Sequence, residues 1–558
     1  MPRTVTEIST PRGTIQVKRR PHYARWRAAS LILVHVLIAA HIVHWKLSGK
    51  TLAPLELNEV MYTLEFGIVT AGFLFMLGVT LATMVFGRVF CSWGCHILAL
   101  QDLSAWILRK LRIKPRAVRS RVLLWVPVVA ALYMFAWPQA LRMIRGNPLP
   151  QLHLRTDAEG WASLATENFW RNLPGPIIIA LTFGVCGFLI VYVLGTRGFC
   201  TYGCPYGAIF RLAERVAPAR IRLRGNDCVA CGTCTAACTS HVRVHEELNR
   251  YGMVVNPACL RDLDCVAACP KQNVYYGFGL PPVLKTVRND TPIRKTYDFS
   301  GREEAFLVVV FVVLLVVFRG LYDQIPFLLS IAWGAIGAYL AVVCVRLVQK
   351  PALQLNRWQL KLDGRLTRRG QIFAGGMATL WLFTLHSGFV HYHAFQGHRL
   401  TAWALSTDPI DEPTARQALQ HLNTAQQWGL IPTMRIPTAL ADVHYQLAGL
   451  SFKSNRIEDA ERHLRATLQV GPGHYMAHYD LGALLMKRNH REAAVEHLRR
   501  TTELKPDFAD GHYNLALALW MSGAYDAARR EINAAFELNP ADQQTTQLRA
   551  LMTDISPP

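Results

Sequence analysis

The sequence predicts an α-helical polytopic membrane protein of about seven spans, with a small cysteine-rich α+β module inserted in it and a carboxyl-terminal α-solenoid. Three observations lead to this prediction. The chain has long apolar runs and is 51% hydrophobic but only 18% charged, its cysteines recur at short fixed spacings, and its tail is periodic. With 558 residues, the chain is too long for one compact core.

Seven apolar runs approach the length of about 20 residues that a helix needs to cross a bilayer. They lie at about 28–45, 60–87, 122–141, 175–196, 305–322, 327–347 and 372–393. The fifth run is the weakest, because Arg319 interrupts it after 14 apolar residues. The first run follows 27 polar, basic residues and is typical of a signal anchor.

The distribution of charge predicts which side of the membrane each loop occupies. Lys and Arg outnumber acids by seven to one in 1–27, by eight to one in 87–121 and by six to one in 348–371, and each stretch flanks an apolar run. Cytoplasmic loops carry such an excess. We therefore expect the amino terminus inside and the carboxyl terminus outside. Basic cytoplasmic loops beside a lipid bilayer then account for the net charge of +22, and a nucleic acid partner is not needed to explain it.

The predicted organisation has five parts. They are a basic cytoplasmic amino terminus (1–27), a four-span membrane domain (28–196), a cytoplasmic cysteine-rich segment (197–303), a three-span membrane domain (304–393) and a periplasmic repeat domain (394–558).

The periodic tail resembles tetratricopeptide repeats, which stack pairs of helices into a solenoid. His444, His478 and His512 recur at the same position, and Ala460, Ala494 and Ala528 and then Pro472, Pro506 and Pro540 recur in step. A helix near 412–428 is a candidate fourth unit. We expect the recurrent histidines to be packing residues, and the domain to bind a protein partner.

The strongest chemical motif lies in the cytoplasmic segment. Cys228, Cys231, Cys234 and Cys238 have the Cys-x2-Cys-x2-Cys-x3-Cys spacing of bacterial ferredoxins, in which the fourth thiolate binds the other cluster. The partner motif contains Cys259, Cys265 and Cys269, with Asp262 where a further cysteine is usual.

The spacing predicts two iron–sulfur clusters in a two-cluster ferredoxin module. One [4Fe–4S] cluster would use Cys228, Cys231, Cys234 and Cys269. The other would use Cys238, Cys259 and Cys265, with either the Asp262 carboxylate or an open iron as its fourth position. A [3Fe–4S] form of this second cluster is therefore an alternative.

A second internal repeat contains two more pairs of cysteines. Residues 87–96 match 196–205, so that Cys91 and Cys95 correspond to Cys200 and Cys204. If the copies face each other, four sulfurs converge near the cytoplasmic boundary. They could hold an iron–sulfur cluster, zinc or copper(I), or they could be buried packing thiols.

Histidines near the outer ends of the first and seventh runs suggest a further site. His41 and His44 lie on the first run, and His386, His391 and His393 lie on the last. Such residues could bind haem b or a quinol head group, although interfacial histidines in water are the simpler interpretation.

Taken together, these motifs resemble the membrane polyferredoxins of the NapH/NosR/CcoG type. The resemblance covers residues 60 to about 280 and includes Asp102 and Trp106 after the first cysteine pair. It implies an electron-transfer subunit of the bacterial cytoplasmic membrane, serving a respiratory reductase or the maturation of a metalloenzyme. His96 and Asp262 depart from the pattern of the family.

We therefore expect an oxidoreductase subunit that links a quinol or cytoplasmic donor to a periplasmic respiratory partner. The alternative is a maturation factor that reduces or handles a metal such as copper, with the repeats holding the apo-enzyme.

Overall fold

The computed structural model describes residues 6–10, 13–17, 23–53, 55, 58–113, 115–155, 164–169, 175–225, 228–290, 293 and 297–554. The chain divides into two compact units. The first comprises Met1–Arg319 with Ile325–Leu380, and the second comprises Gly320–Gln324 with Trp381–Pro558.

Five helices in the described residues are long and apolar enough to cross a membrane. They are α1 (Tyr23–Ser48), α6 (Leu123–Ile144), α7 (Pro176–Leu194), α14 (Phe327–Gln349) and α15 (Arg368–Ala404), which continues from the first unit into the second. Each coincides with a predicted run. The chain is therefore largely helical and has five candidate membrane helices at positions that the sequence predicts.

The other two predicted runs have different structures. Residues 60–87 form α2 (Asn58–Phe66) and the apolar α3 (Ala71–Phe86), which are separated by the segment 67–70 that begins at Gly67. The backbone of Gly67 has φ +81°, and a Cβ there would lie 2.2 Å from the Gln151 carbonyl oxygen. The fifth run forms α13 (Gly301–Phe318), which has three charged residues in its first turn. The count of seven spans stays a prediction.

Between α3 and α6 lie two shorter helices, and the same arrangement follows α7. These are α4 (Val89–Trp93) with α5 (His96–Lys110), and α8 (Gly198–Tyr202) with α9 (Pro205–Ala213). The main core of the first unit joins α5, α7 and α14 through residues such as Leu108, Ile190 and Ala335. Small residues of α14 permit close packing, since a Cβ at Gly337 would lie 2.4 Å from Leu314 of α13.

The predicted cysteine-rich module is a small α+β body. Strand β5 (Arg220–Leu223) pairs antiparallel with β6 (Val274–Gly277). Between them lie α10 (Thr233–Ala236), α11 (Val244–Tyr251) and α12 (Asp264–Ala267). The core contains Ile221, Leu248 and Val254, none of them measurably exposed, together with cysteine side chains.

The remaining strands of the first unit are short. Strand β1 (Thr6–Thr10) pairs with β2 (Gly13–Val17), and β3 (Thr51–Leu52) pairs with β4 (Ala165–Thr166). After α14, a three-stranded sheet is formed by β7 (Leu353–Leu355), β8 (Trp358–Leu362) and β9 (Arg365–Leu366).

The second unit is an array of helices. After α15 come α16 (Glu412–Trp428), α17 (Arg435–Lys453), α18 (Ile457–Val470), α19 (Tyr475–Lys487), α20 (Arg491–Leu504), α21 (Ala509–Met521), α22 (Tyr525–Leu538) and α23 (Gln543–Asp554). Ala460, Ala494 and Ala528 are completely buried, which is why small residues recur there. The helix expected near 412–428 is α16.

Candidate metal centres

The two cysteine pairs lie in two copies of the same backbone hairpin. Cys91 lies in α4 and Cys95 caps the start of α5, with φ −83° and ψ 121°. Cys200 lies in α8 and Cys204 caps α9, with φ −84° and ψ 110°. The sequence repeat is therefore also a structural repeat.

The four sulfurs of these hairpins converge. Cys95 is within electrostatic range of Cys200, Cys91 and Cys204, and burial raises the pKa of all four thiols. A thiol in this setting is neutral near pH 7 and becomes a thiolate when a metal binds it. The sequence indicated this arrangement only if the two copies of the repeat face each other; occupancy by a metal or cluster stays a prediction.

Buried polar groups surround the four thiols. Gln101 lies with its Nε2 atom 3.2 Å from the Cys200 sulfur. The Arg88 guanidinium hydrogen-bonds to Cys91 and also donates to the Pro257 carbonyl oxygen at 3.2 Å. Arg197 and Arg211 are also in electrostatic range of Cys200. Their positive charges favour an anionic group at this position.

The cysteines predicted for the first cluster line one small cavity. Its lining includes Cys228, Cys231, Cys234 and Cys269, together with His245 and Lys271. The loop turns tightly, since Ala230 and Gly232 have φ of +50° and +72°. Burial raises the pKa of Cys228, and that of Cys234 to about 12. Four cysteines around one cavity fit the predicted cluster.

The cysteines predicted for the second cluster also lie close together. Cys265 is in electrostatic range of Cys259, Cys238 and Cys234, so this set adjoins the first. Burial raises the pKa of Cys238 to about 12 and raises the pKa of Cys259 and Cys265. All thirteen cysteines of the chain are free, and Cys186 and Cys344 lie apart on α7 and α14.

Asp262 lies next to this set, but its carboxylate already has several donors. Ser92 donates to Oδ1, while Thr239 and, at 3.3 Å, Arg197 donate to Oδ2. Burial alone would raise the pKa of Asp262, but Arg197 and Arg27 outweigh it and lower the pKa to about 2. These contacts place the Asp262 carboxylate in an ion-pair network. Whether this carboxylate or an open iron completes the second cluster stays a prediction.

The network around Asp262 joins four segments of the chain. Arg27 of α1 donates to the Asp262 carbonyl oxygen at 3.0 Å and pairs with Asp102 and Asp264, both at 3.1 Å. Arg197 pairs with Asp102 at 2.6 Å. Sequence reasoning missed both arginines, although one signal was present: Arg197 is the counterpart of Arg88 in the repeat that contains the cysteine pairs.

The predicted membrane histidines have local partners. His41 donates from Nε2 to the Leu52 carbonyl oxygen at 2.9 Å, and His44 Nδ1 lies 3.0 Å from Thr51 Oγ1. His386 and His391 lie on α15 in the second unit. His393 Nδ1 lies 3.0 Å from His421 Nδ1 within that unit. A haem or quinol site at these residues stays a prediction.

Comparison with known proteins adds two matches to this geometry. A 4Fe–4S binding domain matches residues 68–115 and 177–224, which contain the two cysteine hairpins. A tetratricopeptide repeat family matches residues 445–489 and 479–542.

Curated relatives each match about a third of the chain. The methylamine utilization ferredoxin-type protein MauN of Methylobacillus flagellatus is 26% identical over 31% of this chain and 52% of its own length. MauN of Methylorubrum extorquens is 27% identical over 34% of this chain and 63% of its own length. The ferredoxin-type protein NapH of Haemophilus influenzae is 24% identical over 33% of this chain and 60% of its own length.

The resemblance to the NapH-type polyferredoxins, with tetratricopeptide repeats at the carboxyl end, is confirmed. The chain spans between about half and two thirds of the length of these curated relatives. The matched 4Fe–4S domains contain the cysteine pairs 91/95 and 200/204, the set for which the sequence left several interpretations open.

Proposed function

We propose that this chain is an iron–sulfur electron-transfer protein of the bacterial cytoplasmic membrane. The observation that carries the proposal is that three sets of thiols lie next to one another in the first unit. The first set is Cys228, Cys231, Cys234 and Cys269; the second is Cys238, Cys259 and Cys265; the third is Cys91, Cys95, Cys200 and Cys204.

Specific contacts join these sets. Cys265 of the second set is in electrostatic range of Cys234 of the first. Leu260, which follows Cys259, belongs to the buried cluster that packs against Cys91, Cys95 and Cys200. Asp262 then bridges Ser92, beside Cys91, and Thr239, beside Cys238. Adjacent clusters in a buried environment are what stepwise electron transfer requires.

The first two sets would hold the two ferredoxin-type clusters, the second with an open position on one iron. The third set would hold an additional cluster. The two regions matched by a 4Fe–4S binding domain contain these four cysteines, which supports a cluster at the third set.

The proposed electron path runs between a quinol or cytoplasmic donor and a periplasmic respiratory protein. The relatives named above are ferredoxin-type proteins, which supports the redox role. The repeat domain, on the periplasmic side in a seven-span topology, would bind the partner.

The second candidate is a maturation factor that reduces a metal, such as copper, for delivery to a respiratory enzyme. The converging Cys91, Cys95, Cys200 and Cys204 favour it, since soft thiolates select copper(I). Metal reduction would then take place at the third set, with the other two sets supplying electrons.

The test is to replace these thiols in anaerobically purified protein and to measure iron, sulfide and EPR spectra. We expect Cys95→Ala and Cys204→Ala each to abolish electron transfer and to remove iron from the third set only. Because residues that act as a unit are non-additive, the quadruple alanine variant should lose no more than either single variant. Full electron transfer in the quadruple variant would exclude a role for the third set in both candidate functions.

The two candidates differ in what the third set binds. Iron and sulfide above the content of two clusters favour the electron-transfer protein. Copper bound to the same cysteines, with iron and sulfide for two clusters only, favours the maturation factor.

A further inference from the structure

The helical array of the second unit contains a series of paired imidazoles that the electron path does not use. His478 Nδ1 of α19 lies 3.0 Å from His497 Nδ1 of α20, and His444 Nδ1 of α17 lies 3.0 Å from His463 Nδ1 of α18. The ring planes meet at 40° and 38°. Each pair joins the two helices of one repeat, and the two pairs occupy equivalent positions in successive repeats.

The sequence showed only one member of each pair as recurrent, and a lone repeated histidine is usually structural. The fold adds the second imidazole, 19 residues further along. Two imidazoles can chelate one cation, whereas a single imidazole cannot.

The hydrogen bonding of His478 directs its Nδ1 lone pair toward His497. Its Nε2 atom lies 3.2 Å from the Pro472 carbonyl oxygen, which can only accept a hydrogen bond, so Nε2 is the protonated nitrogen. The Nδ1 lone pair then accepts a hydrogen bond from His497 Nδ1, and a bound cation would take the place of that proton. Metal-binding histidines are usually oriented in this way, with the second nitrogen donating to a carbonyl or carboxylate.

The next repeat keeps the arrangement but changes one ligand. His512 Nε2 lies 3.0 Å from the Pro506 carbonyl oxygen, and its Nδ1 lies 2.6 Å from Glu531 Oε2. Imidazole and carboxylate are both ligands of first-row divalent metals. In three successive repeats the second possible ligand is therefore His463, His497 and Glu531, at equivalent positions.

We infer that the His478–His497 pair, and its copy His444–His463, bind a divalent d-block cation such as nickel(II), copper(II) or zinc(II). With metal–nitrogen distances of about 2.0–2.1 Å, nitrogens 3.0 Å apart subtend roughly 90° at the metal. This is the angle between neighbouring ligands in the tetragonal geometry of copper(II) and nickel(II). Water would complete the coordination, since no third protein ligand converges among the described residues.

The charges near His478 and His497 are mixed. Glu496 is in electrostatic range of both, while Arg500 faces His478 and Arg465 faces His497. His474 also lies in range of His478, with its Nδ1 accepting a hydrogen bond from the Ala477 amide. One carboxylate therefore partly offsets the two guanidinium groups.

The test uses the full chain in detergent, without a histidine tag, and nickel(II) as the probe. Equilibrium dialysis followed by elemental analysis measures the bound nickel. We expect His497→Gln to lose one equivalent relative to the wild type. His478→Gln should lose the same equivalent, and the double variant no more. His490→Gln is the matched control, because His490 is exposed at the start of α20 and should lose nothing.

A second measurement needs no substitution. A cation that binds only the folded repeats raises their melting temperature, so nickel(II) should shift the helical melting of the wild type upward. Undiminished uptake by a helical His497→Gln variant, or a wild type without a shift, would overturn the inference. The iron content should stay the same in every variant, so the outcome is independent of the electron-transfer proposal.

Discussion

At the scale of single residues, the most consequential feature is the buried charge network on Asp262. The side chain of Arg197 is 1% exposed, and its charge is balanced by Asp102 and Asp262. Burying a guanidinium is favourable only when its partners are retained. The network therefore fixes the second cysteine hairpin against the loop that carries Cys259 and Cys265.

Asp262→Asn tests whether this residue is an anchor or an iron ligand. Because the variant leaves Arg197 with one carboxylate fewer, we expect the free energy of unfolding to fall by about 3 kcal/mol. The three-iron EPR signal formed by mild oxidation should be unchanged, since an open iron does not depend on Asp262. Thermal unfolding and EPR of the same preparation measure both effects.

Asp264→Asn is the control, because Asp264 is more exposed and Arg27 keeps its contact with Asp102. A smaller loss of stability is expected there. If Asp262→Asn instead alters the EPR spectrum, or if Asp262→Cys replaces the three-iron signal by a robust four-iron cluster, then Asp262 is a ligand.

The sequence predicted which cysteines would come together but not what binds Asp262. Cysteine spacing is a local property, so Cys228–Cys238 and the match between 87–96 and 196–205 could be interpreted directly. The partners Ser92, Arg197 and Thr239 are 170, 65 and 23 residues from Asp262. No local pattern records a contact over such separations.

At the scale of elements, the cysteine hairpins depend on two glycines. A Cβ at Gly94 would lie 2.9 Å from the Phe90 ring, and one at Gly203 would lie 2.9 Å from the Phe199 ring. Each ring belongs to the helix that carries the first cysteine of its pair. The turn can bring its second cysteine beside the first only if this position has no side chain.

Gly203→Ala should therefore distort the second hairpin. We expect it to cost about 1–3 kcal/mol, as overpacking usually does, and to lower the metal content of the third cysteine set. Gly301→Ala is the matched control, because a Cβ at Gly301 meets no atom within 4 Å. Melting temperature and iron content are the measurements. If Gly203→Ala and Gly301→Ala had the same melting temperature and the same iron content, this role for the turn would be contradicted.

A different element, helix α16, is joined by an ion pair to Arg456, the residue that precedes α18. Glu412 in the first turn of α16 accepts from Arg416 at 2.7 Å and from Arg456 at 2.9 Å. Hydrogen bonds from Arg456 and then Arg416 lower the pKa of Glu412 to about 2. The carboxylate therefore contributes stability above its unfolded pKa of about 4.3, and this contribution is lost as the pH falls toward 2.

Glu412→Gln should remove that contribution. Since the pair is largely exposed, the loss at neutral pH should be below about 1 kcal/mol. The difference in melting temperature between wild type and variant should shrink as the pH falls from about 5 to about 3. A difference that does not change with pH would mean that the carboxylate charge is not responsible.

Hydropathy predicted the positions of the five helices that are apolar enough to cross a membrane, but not the break in the second run. The run 60–87 is apolar in its later part, but residues 67–70, which begin at the left-handed Gly67 and include the bridge from Ile68 to His153, separate α2 from α3. A window average of hydropathy cannot detect such a local break in the backbone. The tail was more predictable, because each repeat contacts mainly its neighbours and its pattern is local.

At the scale of the whole molecule, the question is how many of the apolar helices cross the bilayer. Helix α3 has 16 residues, about 24 Å at 1.5 Å per residue, against a hydrocarbon core of about 30 Å. If α3 and α13 do not cross, five spans remain. The basic stretch 87–121, with eight Lys and Arg and one acid, would then lie outside. That placement contradicts the positive-inside rule.

The two topologies make different predictions for reporter fusions after Gly277 and after Gly429. With seven spans, four precede Gly277 and all seven precede Gly429, so the reporters should be inside and outside respectively. With five spans, three precede Gly277 and five precede Gly429, so both should be outside. Gly429 follows the last residue of α16 and lies beyond every apolar run, so a fusion after it interrupts no candidate span.

We expect opposite sides, because the seven-span arrangement is the one that keeps all three basic stretches in the cytoplasm. A cytoplasm-specific and a periplasm-specific reporter at each junction give complementary signals. A third junction after Lys110, at the end of α5, is the internal control and should report the cytoplasm only if α3 crosses the membrane. A periplasmic signal at both Lys110 and Gly277 would exclude seven spans and would move all three cysteine sets out of the cytoplasm.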